Sequence, residues 1–214
     1  MSLHRSLASA CLTLALAASA VAASAQTLPQ PAEFYFDEDR TTTQRFAVVK
    51  GEGDAMVERL AKQVERDPRA WDAMLQLAGI ALRGGRVELG QSLYDRALAG
   101  LGPNSRWARP GYWNYGWDLY RAGNAQGALT QWSQAVNSGP VRGQWIPTTL
   151  ALALWTLDRK DEAVKWYAAA VRTHPDQWSS PADIAALLPE WTDAERQTLL
   201  EVQHAWAANP PAWP

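Results

Sequence analysis

The sequence has one cysteine, Cys11, and three histidines, and both scarcities restrict its chemistry. Cys11 lies in an N-terminal segment that we expect to be cleaved, so disulfides, thiol catalysis and cysteine-ligated metals are not expected in the mature chain. His174 and His204 have no Ser, Asp or Glu partner that the sequence places beside them. There is also no HExxH motif, no phosphate-cradling glycine loop and no serine nucleophile elbow. We therefore predict a non-enzymatic protein without a cofactor or metal.

An excess of positive charge is also missing. The chain has 20 Lys and Arg residues against 22 Asp and Glu residues, and no basic block occurs in it. Nucleic acids and anionic membrane surfaces are recognised through clustered positive charge, so neither is an expected partner. Four acidic residues do cluster near the N-terminus, where a solvated charge run is the default interpretation. They are Glu33, Asp37, Glu38 and Asp39.

Residues 1–25 have the layout of a cleaved secretory signal peptide. His4 and Arg5 provide a short basic start, residues 7–22 are an apolar Ala/Leu run, and residues 23–25 form an A-x-A exit. The apolar run is shorter than the roughly 20 residues that a bilayer requires, which argues against a permanent membrane anchor. We expect cleavage after Ala25 and a mature chain that is periplasmic or secreted.

Among the features that are present, the most informative is a motif that recurs three times. A small residue, an aromatic residue and an alanine return at matching positions. The three sets are Gly90, Ala128 and Ala163; Tyr94, Trp132 and Tyr167; and Ala97, Ala135 and Ala170. From residue 90 to 128 the shift is 38 residues, and from 128 to 163 it is 35. Both are close to the roughly 34 residues of a helix–turn–helix solenoid repeat.

Apolar spacing and turn residues predict the order of helices along the chain. An extended N-terminal arm over 26–53 precedes a helical repeat domain over 54–208 and a Pro-rich tail over 209–214. Within that domain a covering helix over 54–67 precedes three pairs, at about 69–102, 107–140 and 142–175, and a C-terminal cover occupies 181–208. The predicted helices of the pairs are 70–83 with 86–99, 111–122 with 125–137, and 145–157 with 160–173. Gly84-Gly85, Gly123-Asn124 and Asp158-Arg159 are the predicted turns.

These residues resemble the tetratricopeptide repeat family, as in a secreted bacterial member of it. The second pair carries the packing pattern best, with Tyr112, Tyr115, Gly116, Leu119, Ala128, Trp132, Ala135 and Pro140. The first pair has its proline displaced, and the third has Pro147 at the first bulky position. The resemblance covers residues 69–175. It implies an all-α fold, a right-handed α-solenoid of about three helix pairs with N- and C-terminal capping helices.

The resemblance also implies a concave groove for peptides along the first helix of each pair. Carried over by position, the groove holds Arg83, Trp113, Trp117, Tyr120, Arg121, Trp145 and Trp155. Trp113, Trp117 and Tyr120 are spaced i, i+4 and i+7, so they form one stripe without any appeal to the family. With 12 tryptophans in the chain, binding anchors are expected, although a single tryptophan is more often core than ligand platform. Trp132 and Trp166, on second helices, are predicted to be packing residues.

The two groove arginines admit two interpretations. Arg83 and Arg121 occupy equivalent places in successive repeats, so they are predicted either to clamp a carboxylate with two donors or to be solvated residues at a helix C-terminus. The leading functional hypothesis is a non-catalytic adaptor that binds an extended peptide or a partner protein in the cell envelope. The alternatives are a carbohydrate or cell-wall binder that stacks sugars on indole rings, and an assembly subunit whose tryptophans are covered by another copy.

Overall fold

A computed structural model describes residues 28–102 and 105–213, and these residues form an all-helical fold. In these ranges the one β contact is an isolated parallel bridge between Asp37 and Gly143. The expectation of an all-α protein is therefore confirmed. The predicted signal peptide over 1–25 and its cleavage site lie outside the described residues.

The helices begin and end close to where the sequence pattern predicts. In chain order they are α1 (Gly53–Arg66), α2 (Trp71–Arg83), α3 (Val87–Gly100), α4 (Ala108–Arg121), α5 (Ala125–Asn137), α6 (Trp145–Thr156), α7 (Lys160–Thr173), α8 (Pro175–Trp178), α9 (Ile184–Leu187) and α10 (Asp193–Ala208). Helix α4 starts before the predicted position because Pro110 lies in its first turn, where a missing N–H costs nothing. The C-terminal cover predicted from residue 181 has its first helix at Ile184, where the Asp183 side chain accepts a hydrogen bond from the Ala186 N–H.

Consecutive helices pack as adjacent pairs, α2 with α3, α4 with α5 and α6 with α7. Helix α1 covers α2 at one end, and α10 packs on α6 and α7 at the other. Thr192 and Glu195 form a capping box at the start of α10. The first helix of each pair is α2, α4 or α6. The surface to which these three helices contribute is called here the first-helix face.

The same turn joins the two helices of each pair. Its left-handed residue is Gly85, Gly123 or Asp158, with φ of 75°, 84° and 58°. In each turn the next residue's N–H bonds to the carbonyl five residues before it, as in Arg86 to Ala81, with N···O distances of 2.9 Å in all three. This hydrogen bond and the left-handed residue are those of a Schellman motif, which satisfies helix C-terminal carbonyls. The three pairs thus share one local geometry as well as one sequence pattern.

Equivalent aromatic residues of the second helices are all core residues. Tyr94, Trp132 and Tyr167 are fully buried, and Trp166 is buried as predicted. Trp132 packs against Gly116 of α4, where an added Cβ would lie only 2.2 Å from the indole Nε1. The small residue on the first helix and the bulky residue on the second are therefore complementary, because only a glycine admits the ring at this distance.

Candidate functional site

The N-terminal arm runs over the first-helix face and makes a turn at residues 39–43, where the Thr42 N–H donates to the Asp39 carbonyl at 2.9 Å. The Gln76 side chain of α2 makes two hydrogen bonds to Val49 of the arm. It accepts from the Val49 N–H and donates to the Val49 carbonyl, both at 2.9 Å. Further along, the Asn114 amide of α4 donates to the Gln44 carbonyl at 2.9 Å. The body of the protein therefore contacts the arm largely through the arm's main chain.

The arm is also held by a buried ion pair. Arg109 at the start of α4 lies 2.7 Å from the carboxylate of Asp39, and the Trp145 indole donates to the same oxygen at 2.9 Å. Thr42 donates to the other Asp39 oxygen at 2.7 Å. The acidic cluster of the arm is thus not a solvated charge run throughout, since the Asp39 side chain is only 6% exposed. The predicted groove residue Trp145 faces the arm of its own chain.

The segment over 188–208, which includes α10 and is called here the C-terminal segment, covers the same face from the other side. Arg121 at the end of α4 forms a two-donor pair with Glu195, at 2.8 and 3.0 Å, and its guanidinium lies 4.9 Å from the centre of the Trp117 ring. Burial acts to raise the pKa of Glu195, but the hydrogen bonds from Arg121 and Thr192 outweigh it, so the pKa is lowered. Arg121 therefore does clamp a carboxylate, and that carboxylate belongs to α10.

The tryptophans of α4 form the centre of an aromatic cluster. Trp117 is 6% exposed, and its ring meets those of Trp132, Trp191 and Trp113 with centroid distances of 5.0, 5.1 and 6.2 Å. Trp113 is only partly buried. The indole N–H groups of Trp113 and Trp117 form no hydrogen bond to any described residue. Packing of the rings, and not hydrogen bonding, therefore fixes this part of the face.

A cavity of about 300 Å³ opens between the arm and the C-terminal segment, above these rings. Its lining consists of Thr43, Arg45, Arg83, Trp113, Asn114, Trp117, Asp118, Arg121, Glu190 and Trp191. Arg45 and Glu190 face each other from the two covering segments and form an exposed ion pair at 2.9 Å. The cavity is thus an aromatic recess with charged residues of both signs around it.

One wall of the cavity contains a charged network around the buried carboxylate of Asp118, with the Arg83 side chain half exposed. Arg83 and the Tyr94 hydroxyl both donate to Asp118 of α4, at 2.8 and 2.7 Å. Burial raises the pKa of Asp118, and Arg83 opposes that rise. Gly79 makes the network possible, since a Cβ there would lie 2.8 Å from Arg83 Nη1 and Asp118 Oδ2. Arg83, like Arg121, thus pairs with a carboxylate of its own chain and is not simply a solvated helix end.

The structure places four of the seven predicted groove residues around the cavity and the other three outside its lining, although the Tyr120 ring lies 6.2 Å from that of Trp117. Arg83, Trp113, Trp117 and Arg121 line the cavity. Tyr120 is hydrogen-bonded to Thr156 of α6 at 2.8 Å, Trp155 donates to Glu201 of α10 at 2.9 Å, and Trp145 binds Asp39 of the arm. The residues that sequence reasoning missed are Thr43, Arg45, Asn114, Asp118, Glu190 and Trp191. Those in the arm and the C-terminal segment have no periodic pattern that could reveal them.

The described residues offer neither a metal site nor a membrane-spanning helix. Among residues 28–102 and 105–213, no group of three or more His, Cys, Asp or Glu side chains is arranged to hold a metal ion. Every helix in those ranges is too short or too polar to span a bilayer. Comparison with known proteins adds no assignment: no protein-family model matches the chain, and no curated protein matches its sequence.

Proposed function

We propose that this protein is a non-catalytic binding module that holds an extended polypeptide of a partner protein on its first-helix face. In this proposal the helix pairs are tetratricopeptide-like repeats, stacked as a right-handed solenoid with the first-helix face on its concave side. In this proposal residues 1–25 are a signal peptide and the module acts in the periplasm or outside the cell.

The observation that carries the proposal is the open aromatic cavity beside Trp113 and Trp117. Its volume of about 300 Å³ lies at the small end of the range for ligand pockets, roughly 300–1,000 Å³. A recess of this size suits one or two anchor side chains of a longer ligand better than a complete organic ligand. Tryptophan and arginine are also the side chains that most often dominate binding energy at protein interfaces.

The charged residues of the cavity support binding over catalysis. Asp118 lies 2.8 Å from Arg83 and the Glu195 carboxylate beside the cavity lies 2.8 Å from Arg121, so an arginine neutralises each buried acid. A general acid or base must exchange a proton with a substrate within hydrogen-bond reach. A carboxylate that is already engaged by an arginine is poorly suited to that role.

A peptide-display selection tests the proposal. The purified chain is panned against random peptides, and an enriched peptide is synthesised and titrated by calorimetry. We expect Trp113→Ala to weaken its binding about tenfold or more, as an interface anchor does when truncated. Trp113→Phe keeps an aromatic ring and sacrifices no hydrogen bond to a described residue, so it should bind nearly as well. Arg96→Ala, on the exposed surface of α3, is the control that should change nothing.

Three outcomes would contradict the proposal. No peptide is enriched, the enriched peptides bind Trp113→Ala as tightly as the unmodified chain, or binding falls only because the variant loses its helical circular dichroism. A parallel titration with cell-wall glycan strands, followed by tryptophan fluorescence, separates the carbohydrate alternative. A saturable quench of tryptophan fluorescence by glycans, without any peptide binding, would show that the ligand is a sugar and not a polypeptide.

A further inference from the structure

The arm lies on the first-helix face in the way that a bound peptide would. Gln76 is nine-tenths buried, with 7% exposure, and its amide contacts both the N–H and the C=O of Val49. This contact requires an extended main chain with a free N–H and no particular side chain. It is therefore a recognition element for polypeptide in general, proline excepted.

The body also holds side chains of the arm: the buried Tyr35 packs against Trp166, and Asp39 is the charged anchor. Its carboxylate accepts from Arg109 and from the Trp145 indole, and neither donor lies in the arm. Asp39 precedes Val49 by ten residues, so the face combines a site for a carboxylate with a distant site for a main-chain amide. A segment that presents an acidic residue at a turn and a non-proline residue ten positions later would satisfy the same groups.

Between these anchors the arm makes fewer contacts, chiefly the hydrogen bond from Asn114 to the Gln44 carbonyl and the Phe46 ring 5.7 Å from that of Trp107. Val48 is 40% exposed, and the Arg45 side chain reaches over to Glu190 in an exposed ion pair, which contributes little to stability. The arm joins α1 through Gly51 and Gly53, with φ of 122° and 67°, values that glycine adopts readily. The arm is thus attached mainly at Tyr35, Asp39 and Val49 and continues into a glycine-containing connection.

We propose that residues 35–50 are the resident occupant of the partner groove, and that a partner binds by displacing them with an acidic segment of its own. That the displacing segment belongs to a partner protein rests on the proposed function. The displacement of the arm by a peptide does not. A tethered segment has a high effective concentration, so it excludes a free peptide of equal intrinsic affinity. Weakening the arm should therefore expose a groove that is already formed.

The test uses a fluorescein-labelled synthetic peptide with the sequence of residues 35–50, added to the full chain. The arm of the protein is loosened by Val49→Pro, which removes the N–H that bonds to Gln76, or by Asp39→Ala, which removes the ion pair with Arg109. Fluorescence anisotropy should show that each variant binds the labelled peptide about tenfold or more tightly than the unmodified chain, because the fraction of open groove rises. Circular dichroism checks that both variants remain helical.

Changes in the body and in the peptide locate the binding. In the Val49→Pro background, Gln76→Leu should abolish the gained affinity, whereas Gln91→Leu on the other helix of the pair should retain it. A labelled peptide that carries Asn in place of Asp39 should bind less tightly than the natural one. Faster trypsin cleavage after Arg45 and Lys50 in the Val49→Pro variant would independently report release of the arm.

The inference is overturned if the loosened variants bind the labelled peptide no better than the unmodified chain, or if Gln76→Leu leaves the gained affinity unchanged. Its failure and that of the proposed function are distinguishable. Display-selected peptides that bind through Trp113 without any exchange of the arm peptide would refute only the inference. Exchange of the arm peptide without any selected ligand would refute only the proposed function.

Discussion

Replacement of Gly116 by alanine should destabilise the protein, although alanine is the better helix former. Gly116 lies within α4 and faces the indole of Trp132. A Cβ at this position would lie 2.2 Å from Nε1 and 2.4 Å from Cδ1. Ordinary van der Waals contact begins at 3.4 Å, so the difference of 1.2 Å must be absorbed by movement of the ring or of the helix.

The surroundings of Trp132 do not allow that movement cheaply. The ring is fully buried, its Nε1 donates to the Trp113 carbonyl at 3.2 Å, and Trp117 packs against it at 5.0 Å. Overpacking a core costs about 1–3 kcal/mol, and a displacement above 1 Å at a rigid ring belongs at the upper end. Alanine recovers about 1 kcal/mol of helix propensity. The expected net loss is therefore about 2 kcal/mol, which lowers Tm by about 4–8 °C in a protein of this size.

Chemical denaturation of a double-mutant cycle tests this explanation. Trp132→Phe removes the clashing part of the ring, so Gly116→Ala should cost much less in that background, with a coupling of about 1 kcal/mol or more. Gly102→Ala is the matched control, because nothing lies within 4 Å of a Cβ there. If Gly116→Ala raised the free energy of unfolding, or if the two changes were additive, the close approach of α4 and α5 would not be what requires glycine.

Three further predictions concern a turn and the two buried carboxylates. Asp158→Gly should stabilise the protein by about 0.5–1 kcal/mol in urea titration, because φ of 58° strains a non-glycine residue, whereas Gly123→Ala should destabilise it. The folded-state pKa of Glu195 is lowered, so its stabilising effect is lost as the pH falls through that value. The free energy of unfolding of the Glu195→Gln variant should therefore fall less between about pH 6 and 3 than that of the unmodified chain. The folded-state pKa of Asp118 is raised, so its protonation favours folding in acid, and Asp118→Asn should make that loss steeper.

Helices and turns were predictable because their signals are local. Gly85 and Gly123 mark left-handed turns by residue type alone, and Asp158 was placed with them by register. Burial of Tyr94 and Trp132 followed from their matching positions in the motif. Local features of this kind depend on neighbours within one or two helical turns, which is the range over which apolar spacing carries information.

The covering of the first-helix face was not predictable, because its contacts join distant parts of the chain. The Tyr35 N–H donates to Thr173, 138 residues away, and Arg121 pairs with Glu195, 74 residues away. Neither contact belongs to a repeating pattern. The sequence therefore left open whether the arginines bind a carboxylate, and it gave no reason to expect that the carboxylates come from the same chain.

The aromatic stripe on α4 explains why this face needs a cover. Trp113 and Trp117 lie beside the packing surface of α4, and an exposed indole would be costly in water. The Trp191 ring and the guanidinium of Arg121 bury Trp117, whereas Thr43 and Arg45 of the arm stop short and leave the cavity open. Residues from outside the three pairs therefore shape the part of the cavity that faces solvent. Substitutions in those covering segments should change which ligand fits without repacking the repeats, since the repeats supply the aromatic floor and the segments supply the walls.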